Sequence, residues 1–187
     1  AEKAAALEKN IKDKLWNKDA AFFTTFSANG TSDAVCELHG YAPFYFRMPL
    51  EGYGAAWKPL MDEKGFYAPK GLVFPRRDTP GFTVEIDYKK HECLWNGPSW
   101  PYATSIALTA LYETLQSGAD IPATRADFAK LVKQYAAQHV LVRADGKTVP
   151  WIDENLHPFT GEWLARKIMI EQDRSGFKKQ RFPERGK

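Results

Sequence analysis

The sequence predicts a mainly α protein, built of helical hairpins joined by long aromatic loops, with a small β-hairpin. Three observations predict it. Apolar residues recur at three- and four-residue spacing in well-separated stretches, the pattern of helices that bury one face. The connections between these stretches are long and rich in proline, glycine and aromatic residues, which reads as structured, functional loop rather than linker. Asn29-Gly30 and Asp145-Gly146 are turn signals of the kind that close hairpins.

Residues Glu2 to Trp16 read as an amphipathic helix with Ala4, Leu7, Ile11 and Leu15 on one face. No capping residue precedes it, and Asn17-Lys18-Asp19 ends it. Ala21 to Phe26 is short and aromatic, so a hairpin is expected from Phe22 to about Leu38. Tyr41 to Met48 and Gly52 to Met61 read as two short helical pieces broken by Pro49. Gly65 to Arg77, with Pro69, Gly71 and Pro75, reads as a loop, and Phe82 to Tyr88 as extended chain. Pro101 to Ser117 is the strongest helix. Ser99 is placed to cap it, and a proline in the first turn loses no hydrogen bond. Ile106, Leu108, Ala110, Leu111 and Leu115 make it apolar on more than one face, so it should be well buried. Thr124 to about Val142 is the next helix, opened by a capping box of Thr124 and Asp127. Its buried stripe is Phe128, Leu131, Val132, Tyr135 and Ala136. A final helix is expected from Gly161 to about Gln172, followed by a basic, irregular tail over 174–187.

A chain of 187 residues suffices for one domain with a real core. The net charge of +3 is spread along most of the sequence, without the basic face or recognisable module that nucleic-acid binding requires. No apolar run approaches the ~20 residues that span a bilayer. Cys36 and Cys93 have neither metal-type spacing nor the look of a disulfide framework; they read as two buried thiols, with a single bridge open to them if the protein is secreted. No zinc-type grouping, phosphate-binding glycine loop or nucleophile elbow is present, so no cofactor or metal is expected. Aromatics reach 14%, many of them near turns, which suggests stacking surfaces more than core filling.

Two stretches carry the chemistry. Trp95 to Tyr102 pairs two indoles with a Gly-Pro turn at the start of the strongest helix. Trp151 to Trp163 puts Asp153 and Glu154 on a Pro/Gly-rich loop between tryptophans. Flat indoles that stack on sugar rings, beside a loop carboxylate, are parts of a carbohydrate site. Glu154 is the candidate general base, against the plainer reading of a loop carboxylate capping a backbone N–H. Asp153 is placed to orient it or to bind a sugar hydroxyl. Glu162 competes, but a carboxylate at a helix start is already explained by the helix dipole. Trp95, Trp100, Trp151 and Trp163 are candidate walls of a subsite, against the plainer reading of core tryptophans at helix ends. Asn96, Asn155 and His157 offer hydrogen bonds suited to hydroxyls. Glu37 and His39 form a weaker polar pair, and His91 and Glu92 directly precede the tryptophan stretch.

Trp95-Asn96-Gly97-Pro98-Ser99-Trp100-Pro101, then an apolar helix, then Glu154-Asn155-Leu156-His157-Pro158-Phe159-Thr160-Gly161-Glu162, resembles the glycoside hydrolases of the (α/α) toroid clan. The resemblance is to family 63 and the mannosylglycerate-hydrolase-like domain, with trehalases more distant. Leu15-Trp16-Asn17 followed by Phe22-Phe23, Glu37 to Phe44, and Gly71 to Pro75 resemble further segments of the same family in the same order, so the likeness covers nearly the whole chain. It implies part of an (α/α)6 toroid, inverting hydrolysis of a glycosidic bond with Glu154 as general base, and Trp95, Asn96, Gly97, Pro98 and Trp100 in the substrate site.

The family's general acid, an aspartate far upstream of the base in a Ser-Gly-Met-Asp or Ser-Gly-Trp-Asp type segment, has no counterpart here. The chain is therefore expected to be the C-terminal part of a toroid catalytic domain. A carbohydrate is its expected substrate, and either the rest of the toroid or an oligomer partner should cover an apolar seam. A leader ahead of this chain would make the protein periplasmic or secreted. Two other readings stay open: a sugar-binding helical domain without catalysis, and a toroid epimerase, whose chemistry would want paired histidines where His39, His91, His139 and His157 are scattered.

Overall fold

The computed structural model describes residues 2–25, 35–85, 94–143 and 145–165. The helices form largely where the periodicity puts them. α1 spans Glu2–Leu15 and carries the expected alternation, but none of its residues is fully buried: Ile11 and Leu15 pack partly on the core while Leu7 stands exposed. Trp16 leaves the helix for a two-residue ladder, β1 (Trp16–Asn17) against β2 (Phe22–Phe23), with Trp16 opposite Phe23. Asn17 drives that turn, because its Oδ1 accepts the N–H groups of Asp19 and Ala20 at 3.0 Å. This ladder lies earlier in the chain than the hairpin expected from Phe22 to about Leu38, whose turn at Asn29-Gly30 lies outside the described residues.

Two short helical pieces follow as expected. A 3-10 turn at Leu38–Tyr41 runs into α2 (Ala42–Tyr45), and a 3-10 helix covers Gly54–Leu60. The loop over 65–77 is irregular but not superficial. Phe66, Ala68, Leu72, Val73 and Phe74 are buried, and much of the backbone is paired: Phe66 N–H to Pro59 O, Val73 N–H to Phe66 O, Leu38 N–H to Phe74 O. The core is correspondingly aromatic. Tyr41 stacks on Trp57 with centroids 4.3 Å apart, Phe22 meets Tyr41 edge-on, and the Tyr41 hydroxyl donates to Ala56 O. Much of the aromatic excess therefore fills the core, contrary to the expectation from composition.

α3 (Pro101–Gln116) is the buried axis of the fold and packs against α2, the preceding 3-10 turn and α4. Its N-cap is Trp100, without a side-chain cap; the Ser99 hydroxyl is buried and makes no hydrogen bond, so the cap expected from Ser99 is absent. α4 (Arg125–Gln138) begins with the expected capping box between Thr124 and Asp127. On its expected stripe Leu131 is buried, Phe128 and Tyr135 are half-buried, and Val132 and Ala136 are exposed. The helix stops before the expected Val142. Val140–Val142 instead forms β3, paired antiparallel with β4 (Thr148–Pro150) about the Asp145-Gly146 turn. Two valines in three residues favour the extended form once a turn closes the ladder. The last expected helix starts at Leu164 rather than Gly161, and residues beyond Ala165 lie outside the described part, as do His91, Glu92, Cys93 and the 174–187 tail. Among the described residues no helix is long and apolar enough to cross a membrane.

Candidate active site

The two stretches singled out in the sequence are hydrogen-bonded to each other. Ser99 N–H donates to Leu156 O at 2.9 Å and Leu156 N–H returns to Ser99 O at 3.0 Å, an antiparallel bridge. Leu156 also bridges to Trp163 on its other side, where His157 N–H donates to Glu162 O and Leu164 N–H to Asn155 O. Three strands of minimal length thus meet at the N-terminal end of α3. Continuing the Ser99–Leu156 register sets Asn155 level with Trp100, and Glu154 level with Pro101, the first residue of the helix.

On the tryptophan strand, Trp95 and Trp100 stack face to face, with centroids 3.8 Å apart and planes within 5°. Trp100 is the buried member and spends its indole N–H on Leu94 O at 3.0 Å. Trp95 is the exposed member, braced edge-on by Phe74 at 4.7 Å. Only Trp95 of this pair is therefore free to meet a sugar from solvent. Gly97 has a role in packing. A Cβ there would sit 1.8 Å from the Thr83 carbonyl oxygen, so the close passage of 97 over 83 requires glycine. Asn96 is exposed and donates from Nδ2 to Gly81 O, while its own carbonyl accepts the Thr83 N–H. Pro98 is buried, its carbonyl accepting the Phe74 N–H.

On the carboxylate strand, Glu154 is exposed. Asp153, half-buried, accepts the Glu154 N–H on Oδ1 at 2.9 Å, which ties the two acidic residues together through the backbone. Asn155 is fully buried, and its side-chain amide makes no hydrogen bond. His157 is committed to the turn that follows: Nδ1 accepts the Phe159 and Thr160 N–H groups, both at 3.2 Å. Trp151 is half-buried and its N–H backbone group donates to His139 O. Trp163 is buried and donates its indole N–H to Val140 O, which places it behind the site rather than on its wall. Glu162 lies on the extended strand before the helix, so the helix dipole does not explain its position.

Beside Trp95 the structure gathers His39, Phe74 and Tyr102, of which the sequence marks His39 only as half of a weaker polar pair. The His39 ring lies 4.9 Å from Phe74, 6.0 Å from Trp95 and 6.3 Å from the exposed Tyr102. Burial pushes its pKa below the ordinary histidine value. Its position one residue before Gly40 was the available signal, since Gly40 lets this turn lie against Phe22 and the Phe23 carbonyl. Among the described residues no group of three or more His, Cys, Asp or Glu side chains is placed to hold a metal ion.

Residues 1–173 match the family model of the mannosylglycerate hydrolase MGH1-like glycoside hydrolase domain. The chain belongs to that family. No curated protein sequence matches it. Among solved structures, a protein described as a sialidase is 32% identical with a TM-score of 0.76, over 88% of this chain and 14% of its own. The GH63 mannosylglycerate hydrolase of Thermus thermophilus, solved in complex with glucose, is 18% identical with a TM-score of 0.61, over 88% of this chain and 38% of its own. An uncharacterized conserved protein from the same organism is 17% identical with a TM-score of 0.62, over 87% and 37%. This glycoside hydrolase domain has the helical architecture of the (α/α) toroid, and it spans well under half the length of the solved proteins it matches.

Proposed function

We propose that this chain is the base-bearing, C-terminal part of a glycoside hydrolase catalytic domain that cleaves a glycosidic bond with inversion. The observation that carries the reading is the Ser99–Leu156 bridge, which joins the indole loop and the carboxylate loop at one end of α3 and leaves Trp95 and Glu154 exposed there. Glu154 is the general base. Its carboxylate takes a proton from a water whose oxygen attacks the anomeric carbon from the face opposite the leaving group. The leaving oxygen takes its proton from an acid on another segment of the polypeptide, ~6.5–9.5 Å from the base so that the water fits between them. Asp153 positions Glu154 through the backbone bond at 2.9 Å. Trp95 supplies the apolar platform, backed by Trp100. Asn96 and Trp151 border the platform and the carboxylate respectively, while Gly97, Asn155 and His157 shape the loops from within.

Support for a partial toroid comes from the limited share of each solved hydrolase that the chain spans, 36–38%. It also comes from the apolar side chains left exposed around α4, Val132, Val140 and Val142, which suit a surface covered by the rest of the ring. The epimerase reading would want a second histidine facing the same sugar, and the ring neighbours of His39 beside Trp95 are Phe74, Trp95 and Tyr102 rather than another histidine. The deciding experiment is Glu154→Gln in the full-length enzyme. Turnover should fall by about 10³-fold or more with sugar binding kept, on the scale of removing a group that acts in the transition state. Near wild-type turnover would remove Glu154 from the mechanism. Binding without turnover in the unmodified full-length protein would point to the non-catalytic sugar-binding reading instead.

A further inference from the structure

We infer that His39 is a substrate-contacting residue of this site, hydrogen-bonding a sugar hydroxyl while the ring lies against Trp95 and Tyr102. The inference rests on the proposed sugar site and adds a specificity-determining residue to it. Three observations converge. His39 lies within a cluster of aromatic rings, with centroids 6.0 Å from Trp95, 6.3 Å from Tyr102 and 4.9 Å from Phe74. Trp95 and Tyr102 are both exposed, so the cluster meets solvent at the N-terminal end of α3. The third observation is a contrast between histidines. His139 Nδ1 lies 2.7 Å from Tyr135 O and His157 Nδ1 accepts two backbone N–H groups, whereas neither ring nitrogen of His39 is hydrogen-bonded among the described residues.

The imidazole is only half-buried, and its nitrogens are not among the buried unpaired atoms, so they face solvent beside the aromatic rings, where a phenylalanine would offer a ligand no polar edge. Its chemistry matches a sugar. The neutral ring carries one N–H donor and one bare nitrogen acceptor, and a hydroxyl is itself both donor and acceptor, so one hydroxyl or two neighbouring ones can be read at once. The flat, apolar faces of Trp95 and Tyr102 meanwhile accept the C–H face of the ring. A site built this way discriminates between sugars that differ in the orientation of a single hydroxyl, because the wrong epimer leaves the imidazole unpaired.

The test uses two variants in the full-length enzyme. His39→Phe keeps the aromatic packing and removes both nitrogens; His39→Gln keeps a donor and an acceptor. D-Glucose and D-mannose are the probes, titrated while tryptophan fluorescence is followed, with KM and kcat measured on the best substrate and Tm as the folding control. His39→Phe should weaken binding of the preferred sugar and raise KM about tenfold, the scale of one lost polar contact in a sugar site. It should leave kcat within about threefold, and the preference between the two epimers should narrow. His39→Gln should restore part of the affinity. If Trp95→Ala loses sugar binding while His39→Phe keeps wild-type affinity and epimer preference, His39 is packing only, and the proposed site stands without it. If neither probe binds the unmodified enzyme and neither Trp95→Ala nor His39→Phe alters KM, both the inference and the location of the sugar site fall.

Discussion

At its N-terminal end α3 meets two loops that are hydrogen-bonded to one another, carry an exposed indole and an exposed carboxylate, and have half-buried His39 beside them. At its C-terminal end, ~24 Å away for a helix of sixteen residues, the same helix borders a groove of about 920 Å³ running past Arg47, Glu51, Glu113 and Asp120. The larger hollow is at the chemically poorer end. There the carboxylate of Glu113 is already paired with Arg47 at 2.6 Å, and the walls are ordinary turns with Gly52 and Gly118 in the left-handed region. A second hollow of about 860 Å³ lies behind the carboxylate loop, against Lys70, Lys130, Gln138 and Trp163, and includes neither Glu154 nor Trp95. Volume therefore does not locate this site; the convergence of an exposed carboxylate with a stacking platform, on two loops bridged to each other, does.

The sharpest way to break that comparison is to remove one carboxylate at each end. Glu154→Gln should cost the full-length enzyme about 10³-fold or more in kcat, while Glu113→Gln should leave it within about twofold. Steady-state rates on one substrate settle it, and a large loss from the Glu113 change would move the functional end of the helix. The two ends also use glycine for different reasons, which stability reads out. Gly97→Ala forces a Cβ to 1.8 Å from the Thr83 carbonyl, a backbone contact that cannot rotate away, and should cost about 3 kcal/mol and several degrees of Tm. Gly118 has open space around it and needs only its φ of 75°, so Gly118→Ala should cost about 1 kcal/mol. Equal losses would mean that the tryptophan loop adjusts around the new methyl.

A smaller effect belongs to the start of α4, on the C-terminal side of α3. Thr124 and Asp127 satisfy each other's backbone N–H groups, with Asp127 N–H donating to Thr124 Oγ1 at 3.1 Å and Thr124 N–H to Asp127 Oδ2 at 2.9 Å. Thr124→Ala should cost about 1 kcal/mol, or roughly 2–4 °C in Tm at this chain length, with sugar binding unchanged. A loss of sugar binding would show that the two ends are mechanically coupled through the α3–α4 hairpin.

Local features were the legible ones. The Thr124 capping box, the start of α3 at Pro101 and the Asp145-Gly146 turn each depend on a few adjacent residues, and each stands where the residues put it. The toroid architecture became legible through the order of several family-like segments rather than through periodicity. What the residues could not show is non-local. Ser99 reads as a cap, yet its backbone is taken by Leu156, so the strand continues to Trp100 and the hydroxyl turns inward. Four tryptophans near two loops read as four walls, but indole N–H groups find backbone carbonyls, Leu94 for Trp100 and Val140 for Trp163, and those bonds draw two of the rings inside. The 65–77 loop, punctuated by Pro69, Gly71 and Pro75, reads as a loop, and becomes core because its carbonyls and amides pair with four other segments, at 36–38, 59–62, 98 and 158. His39 is remote in sequence from both motifs, and only the packing of Phe74 between them brings it to Trp95.

The least of the expected effects separates the two ends by pH. His39 is at the site end, and burial lowers its pKa from the ordinary 6.5. The unfolded chain titrates near the ordinary value, so between the folded pKa and about 6.5 the unfolded state holds more protons than the folded state. Stability from this group is therefore complete above about pH 6.5 and is lost as the pH falls toward the folded value. Thermal unfolding between pH 7.5 and 5 should show a modest decline in Tm that His39→Gln flattens, because the amide does not titrate. Glu113→Gln, at the opposite end, should leave the same decline in place. A decline that survives His39→Gln would assign the proton to another group, and with it would go the physical reason for drawing His39 neutral at the sugar platform.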